Sequence, residues 1–362
     1  MKLKKPAFYL NDNVSVTHVN NQITLIDFSR GILDEYMVSG NFDFSIFETG
    51  ISEHQINNSP EILSMIEKGY FVPLLELYQK YREKLNNRSF FGFPFLSIGE
   101  VINRDNIKVT ILGACYDLGA SNKKNQHFTP YILRETSHSN ISKEFGNNMI
   151  ADCGDITSDT VMKQNGEKIK QLQTICSLLS KYGKKPLIIG GDHSISFYAI
   201  SGLLESHNKI TILHIDAHFD GLGYFEYDTE NLDHSNFINY LLFDERVEEI
   251  IHIGNRQTGY TPQKSEKRRF VSLEQFLIES PKKDTIYYLT FDVDWIDPTI
   301  ISSVGTPVGF GATLKDVASL INHLKDYSLI GADIVEFIGS FDNMSENITI
   351  NSIIQQILNL LR

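Results

Sequence analysis

A chain of 362 residues, 41% of them hydrophobic, has enough material for more than one core, so one large α/β domain with a smaller module is expected. Its formal charge of −12 argues against nucleic acid or an anionic membrane as a partner and suits a cationic substrate. Three cysteines without close pairing, no run near the roughly 20 apolar residues of a membrane span and no signal-peptide core after the basic start point to a reducing cytoplasmic setting.

Residues 1–100 read as a small α+β module. Val14–Val19 and Gln22–Asp27 alternate around Asn20-Asn21 and predict a hairpin, since Asn tolerates the positive φ of a tight turn. Helical spacing follows at Ile62, Met65 and Ile66, with Gly69 placed to stop the helix. A short strand at Tyr70-Phe71-Val72 and a helix over Leu74–Leu85 come next. The aromatics Phe90, Phe91, Phe93 and Phe95 would be exposed in a free linker, so that segment reads as a connector docked on the larger domain.

In residues 101–362, strands and helices alternate, which predicts a mostly parallel sheet covered on both faces. Strands are expected at Val109–Leu112, Leu187–Ile189, Ile210–Ile215, Glu249–Ile253, Ile286–Phe291 and Leu329–Val335. Helices are expected over Gly166–Tyr182, Ile195–Leu204, Leu314–Leu324 and Ile348–Leu361. Three of the strands run out into charged clusters: Gly190-Gly191-Asp192-His193-Ser194, Asp216-Ala217-His218-Phe219-Asp220 and Asp292-Val293-Asp294. The carboxyl edge of an α/β sheet is where ligands bind.

Four aspartates and two histidines converging from these clusters would repel one another and lose hydration unless they enclosed a cation. Oxygen and imidazole donors without thiolate suit Mn²⁺ or a related ion better than structural zinc, and the set is large enough for two ions. Two such ions activate water near neutral pH, so the reaction class is metal-assisted hydrolysis. His214, two residues before Asp216, reads as a buried histidine rather than a ligand.

These clusters resemble the ureohydrolases, the arginase and agmatinase superfamily, over roughly the last 250 residues. Supporting segments are Asp152-Cys153-Gly154-Asp155, Gly305-Thr306-Pro307 and Asp333-Ile334-Val335-Glu336. The resemblance implies a three-layer α/β/α fold and two Mn²⁺ per subunit, one held by His193, Asp216, Asp220 and Asp292, the other by Asp216, His218, Asp292 and Asp294. It further implies that His234 shuttles protons, that Glu336 grips a guanidinium and that the protein is a homo-oligomer, trimer or hexamer.

Departures from the family pattern concern the substrate. Where arginases for free arginine carry an asparagine that holds the substrate carboxylate, this chain has Leu222, followed by the aromatic and acidic loop 223–230. The family's glycine pair is altered in Val308-Gly309-Phe310-Gly311, and its early glycine-proline is Thr129-Pro130. The amino-terminal module is similar to the PqqD-like domains that capture leader peptides, and an exposed strand edge can bind a peptide by strand addition. Together these imply a peptide arginase converting arginine residues of a precursor peptide to ornithine. Hydrolysis of a free small guanidine, action on a formimino or other amidine-like group, and an inactive binding scaffold are the alternatives.

Overall fold

The structure, a computed structural model, describes residues 6–10, 14–19, 21–27, 32–38, 42–44, 46, 51–56, 58–73, 89–121, 123, 125–137, 149–156, 170–221, 232–259, 261 and 265–362. The expected helix at Leu74–Leu85, the start of the helix expected from Gly166, Leu222 and the loop 223–230 lie outside them. The chain divides into two compact units, Met1–Asn87 and Arg88–Arg362.

The first unit carries two three-stranded antiparallel sheets. β2 (Val14–Val19), β3 (Gln22–Asp27) and β4 (Ile32–Met37) form a meander, with Val19 opposite Gln22 as the hairpin reading requires. The second sheet sets β1 (Pro6–Leu10) between β5 (Ile51–Ser52) and β6 (Phe71–Pro73). A helix over Pro60–Glu67 starts at Ser59, whose Oγ accepts the Ile62 N–H, and Gly69 at φ 76° follows its end. Ile23, Leu25, Ile51, Ile62, Met65, Tyr70 and Phe71 belong to a core of this unit's own.

The second unit is built on an eight-stranded sheet in the order β12-β11-β10-β13-β14-β9-β7-β8. Its strands are β7 (Val109–Ala114), β8 (Ile150–Ile156), β9 (Lys185–Ile189), β10 (Ile210–Ile215), β11 (Val247–Ile253), β12 (Arg268–Val271), β13 (Tyr287–Asp292) and β14 (Leu329–Val335). Every pairing is parallel. Successive residues of one strand serve opposite faces: Leu213 and Ile215 belong to one core cluster, Ile210 and Ile212 to the other. Helices Leu314–His323 and Met344–Leu361 cover the first face, and Lys170–Lys181 and Ile195–Leu204 the second, giving three layers. Phe90, Phe91 and Phe93 are buried in the first cluster, and Phe95 bridges to Asp152.

β10, β13, β14 and β9 are neighbours at the centre of this sheet, and their carboxyl ends lead into the four chemical segments. Sequence order reverses here, because the chain leaves β9 and returns beyond β14 and β13 to lay down β10. That places the clusters at a topological switch point.

Candidate metal centre

Gly190 and Gly191 turn the chain sharply out of β9 with φ of 83° and 86°. A Cβ on Gly190 would stand 2.7 Å from Pro130 Cδ, so the turn requires glycine on both counts. It delivers a wholly buried His193 to the sheet edge, where its Nδ1 lies 3.1 Å from Asp216 Oδ2, 2.9 Å from Asp220 Oδ2 and 3.1 Å from Asp292 Oδ2. His218 Nδ1 lies 2.9 Å from Asp294 Oδ2 and 3.4 Å from Asp216 Oδ1. All six residues named as ligands from the sequence therefore meet in one place, with Asp216 between the two histidines. Asp192 stays out of the cluster: it accepts from Gly119 N and from the backbone N–H of Ser194, holding the loop.

Whether the cluster fits a metal turns on the state of His193. Tyr288 Oη and Thr290 Oγ1 stand 2.7 Å and 2.6 Å from the two oxygens of Asp333, which accepts both hydroxyl protons. Thr290 Oγ1 must then accept at 2.8 Å from His193 Nε2, so His193 carries a proton on Nε2 and turns Nδ1 toward the three carboxylates. That nitrogen and Asp216 Oδ2 are buried, close together and yet without hydrogen-bond geometry to anything, the arrangement of donors converging on a shared cation.

The electrostatics show how much positive charge the cluster demands: burial opposes a charge on His193, but Asp216, Asp220 and Asp292 outweigh it and raise its pKa well above the ordinary histidine value, so without an ion Nδ1 holds a proton that a cation would displace. Burial opposes a charge on His218, but the carboxylates of Asp216 and Asp294 outweigh it and push its pKa up to about 12. Burial, and then its neighbour Asp216, push Asp294 up to about 7, while burial, Asp294 and Asp216 raise Asp292 well above the ordinary carboxylate range. The cluster cannot hold its negative charge without compensating positive charge, and the donor set fits two divalent ions.

Beside the cluster, Glu336 leaves β14 in a left-handed conformation, φ 64°. Its Oε1 accepts from His193 N at 2.9 Å and from His234 Nδ1 at 3.1 Å, and its Oε2 from Gln126 Nε2 at 3.0 Å. A Cβ on Gly305 would stand 3.1 Å from both Gln126 Nε2 and Glu336 Oε2, so the Gly305-Thr306-Pro307 segment leaves that side of the carboxylate open. His234 Nε2 lies 3.2 Å from Ser121 N and 2.8 Å from Ser121 Oγ. Burial lowers the proton affinity of His234, but Glu336 more than reverses this and raises its pKa to about 9.

Gln126, Ser121 and Thr290 were missed in the sequence, as was Arg256. Its guanidinium donates to four carbonyls, of Asp294, Trp295, Val308 and Gly309, and its backbone N–H to that of Ala217, tying three loops together. Thr290 alone left a trace, since it precedes Asp292 by two residues and so shares its face of β13. Arg134 lies buried between Asp152 and Asp155, which accounts for the Asp152-Cys153-Gly154-Asp155 segment as support rather than chemistry.

Comparison with known proteins gives a consistent result. The Arginase family profile matches residues 107–361. An agmatinase of Blochmanniella floridana is 28% identical over 288 residues, covering 74% of this chain and 91% of that protein. A guanidinobutyrase of Pseudomonas aeruginosa is 26% identical, covering 66% and 81%. Among solved structures, the proclavaminate amidino hydrolase of Streptomyces clavuligerus superposes with a TM-score of 0.61 at 21% identity, over 76% of this chain and 96% of that one, and shares the fold. The chain belongs to the arginase family, metal-dependent hydrolases that cleave guanidino C–N bonds at a binuclear centre.

Proposed function

We propose that the protein is a dimanganese hydrolase that splits a guanidino group into an amine and urea, acting on arginine residues of a peptide and leaving ornithine. The observation that carries the reaction class is the convergence of His193 Nδ1 with Asp216, Asp220 and Asp292, with His218 and Asp294 alongside and Glu336 and His234 at their side. When bound, the two ions supply an activated water and stabilise the charge that builds as the guanidinium carbon is attacked. Glu336 has three donors on four lone-pair positions, so Oε2 can take one guanidinium N–H, and a forked grip follows if His234 swings away from Oε1. His234 bridges the exposed Ser121 to the buried Glu336 and holds the proton that the departing amine needs. The products balance as R–NH–C(NH₂)₂⁺ plus water giving R–NH₃⁺ and urea.

The peptide reading is supported by two features. Unit Met1–Asn87 has its own core and lies outside the family match, which starts at residue 107. Leu222 stands where an enzyme for free arginine keeps its carboxylate-holding asparagine, and a peptidyl arginine presents no carboxylate at its own Cα. A second reading, hydrolysis of a free small guanidine, is favoured by the names of the relatives, agmatinase and guanidinobutyrase. We place the enzyme in the cytoplasm as a homo-oligomer, trimer or hexamer; among the described residues no helix is long and apolar enough to cross a membrane.

The deciding experiment incubates the Mn²⁺-loaded protein separately with free arginine, agmatine, 4-guanidinobutyrate and an arginine-containing precursor peptide, measuring urea and peptide mass. Conversion to ornithine removes CH₂N₂, about 42 Da per residue, as the urea-forming hydrolysis requires. Efficient turnover of a free guanidine with none of the peptide overturns the peptide reading. No urea from any of the four overturns the reaction as well.

A further inference from the structure

Beneath the Asp216 loop, three buried side chains from neighbouring strands form a line that ends at the metal centre. His214 on β10 and His252 on β11 are register partners, both wholly buried, with their Nδ1 atoms 2.9 Å apart. Arg268 on β12 reaches His252 Nε2 with its Nε at 3.1 Å and the Phe219 carbonyl with its Nη2 at 2.8 Å. At the far end His214 Nε2 lies 3.1 Å from Asp216 Oδ2 and 3.8 Å from Asp220 Oδ2, without hydrogen-bond geometry to a single one of them. By position alone, His214 is as good a third imidazole ligand as His193: its ring stacks on that of His193 at 5.1 Å, and it shares the surroundings of Asp216 and Asp220.

The line has only one possible direction. A guanidinium has five N–H donors and no acceptor, so His252 Nε2 must be a lone pair. His252 then carries its proton on Nδ1 and gives it to His214 Nδ1, which must in turn be bare. His214 is left with its proton on Nε2, facing the two carboxylates. A second proton on either ring would set N–H against N–H.

We propose that Arg268, acting through His252, locks His214 in the tautomer that turns its N–H toward the Asp216–Asp220 pair, so that His214 is a positioning residue and not a metal ligand. The same bookkeeping of donors thus sets two stacked histidines apart: His193 spends its Nε2–H on Thr290 and turns Nδ1 to the carboxylates, whereas His214 accepts from His252 on Nδ1 and turns its Nε2–H to them. Asp216 accepts from His218 N at 2.6 Å on Oδ1, while the His214 Nε2–H faces Oδ2 from 3.1 Å. A carboxylate oriented in this way is prepared to divide its oxygens between two ions. Room for the anchor is part of the motif, since a Cβ on Gly221, next to Asp220, would stand 2.5 Å from Arg268 Nη1. A guanidinium kept under the site with that Nη1 lacking a hydrogen-bond partner is a poor device for stability alone.

The inference rests on the metal-centre reading, but its first test does not need the metal. Full-length protein labelled with ¹⁵N-histidine is studied by long-range ¹H–¹⁵N correlation, metal-free and loaded with diamagnetic Zn²⁺, with His214 assigned from the signals lost in His214→Gln. His214 is expected with Nε2 protonated and Nδ1 bare in both states. A bare Nε2 in either state overturns the proposal. Arg268→Met, which keeps the stem and removes the donors, should erase that signature and weaken metal binding by about 10- to 100-fold, the usual effect of removing such support. Arg268→Lys, still donor-only, should restore the signature and most of the affinity. Wild-type signature and affinity in Arg268→Met refute the role of Arg268, and if that variant does not fold, the wild-type spectra decide. A wild-type protein that binds no metal sinks the proposed function while leaving the tautomer of His214 readable.

Discussion

Replacing Glu336 by Gln removes a charge while keeping the shape, and the surroundings are built to tolerate it. The new amide oxygen can accept from His193 N and His234 Nδ1 as Oε1 does now. The new NH₂ then faces Gln126, whose own Oε1 is buried without a hydrogen-bond partner and can turn to meet it, at the cost of the bond from Gln126 Nε2 to the Lys123 carbonyl. Fold and metal content should therefore survive. What is lost is the charge in two hydrogen bonds, one with His234 and one with an arriving guanidinium. Each is worth roughly 1.5–3 kcal/mol, together about 3–6 kcal/mol. If both are expressed in the transition state, kcat/KM falls by about 10²- to 10⁴-fold. Urea release under saturating Mn²⁺, beside elemental analysis of the purified variant, measures both quantities. A Glu336→Gln enzyme within tenfold of wild type shows that the carboxylate does not grip the substrate, and one that has lost its metal shows that Glu336 supports the ions instead.

The same pair gives a pH dependence. In the metal-free protein the raised pKa of His234, about 9, means that its pairing with Glu336 stabilises the fold fully below the ordinary histidine value near 6.5 and ceases to do so as pH rises through 9. The stability difference between metal-free wild type and Glu336→Gln should shrink over that interval in denaturant titrations; a constant difference contradicts the pairing. Asp216→Ala or Asp292→Ala should abolish metal binding and turnover, because each carboxylate is proposed to serve both ions, and a variant retaining full metal content refutes the bridging arrangement. Arg134→Met strands Asp152 and Asp155 in the interior and should cost about 3–5 kcal/mol by urea unfolding. A loss below about 1 kcal/mol means the pair is not held as described.

The six proposed ligands were legible because each sits where an apolar strand ends, and a carboxylate there has no inexpensive alternative to a cation. The central strands were legible for the same reason, being buried on both faces and so uniformly apolar. β8 and β12 escaped because they are the sheet's edges: Ile150–Ile156 carries Asp152 and Asp155, and Arg268–Val271 opens with two arginines, which blurs any strand pattern. The helix expected from Ile348 begins at Met344, where Glu346 accepts from Ser302 N and Ser303 N, a long-range contact that local periodicity does not carry. The direction of the hydrogen bonds around His193 and His214 was beyond the sequence altogether. It depends on Thr290 and Arg268, which lie 97 and 54 positions away from them along the chain.

Backbone strain is also present at and beside the site. Asp220 at φ 40°, Glu336 at φ 64° and Phe310 at φ 62° are non-glycine residues held in the left-handed region. For the first two, hydrogen bonds and the metal cluster explain why the fold keeps them there. Phe310 differs: the residue is 101% exposed, so nothing among the described residues packs on it, and the Arg256 clamp grips the carbonyls of Val308 and Gly309 and leaves the side chain alone. Phe310→Gly should relieve about 1–2 kcal/mol of left-handed strain and give back roughly 0.5–1 kcal/mol through the greater freedom of the unfolded glycine. The net expectation is a variant about 0–1.5 kcal/mol more stable, a rare sign for removing a whole aromatic ring. Denaturant unfolding with light scattering checks it. Destabilisation by more than about 1 kcal/mol together with a smaller assembled mass would refute the reasoning, because the ring would then be packed against a second copy of the chain.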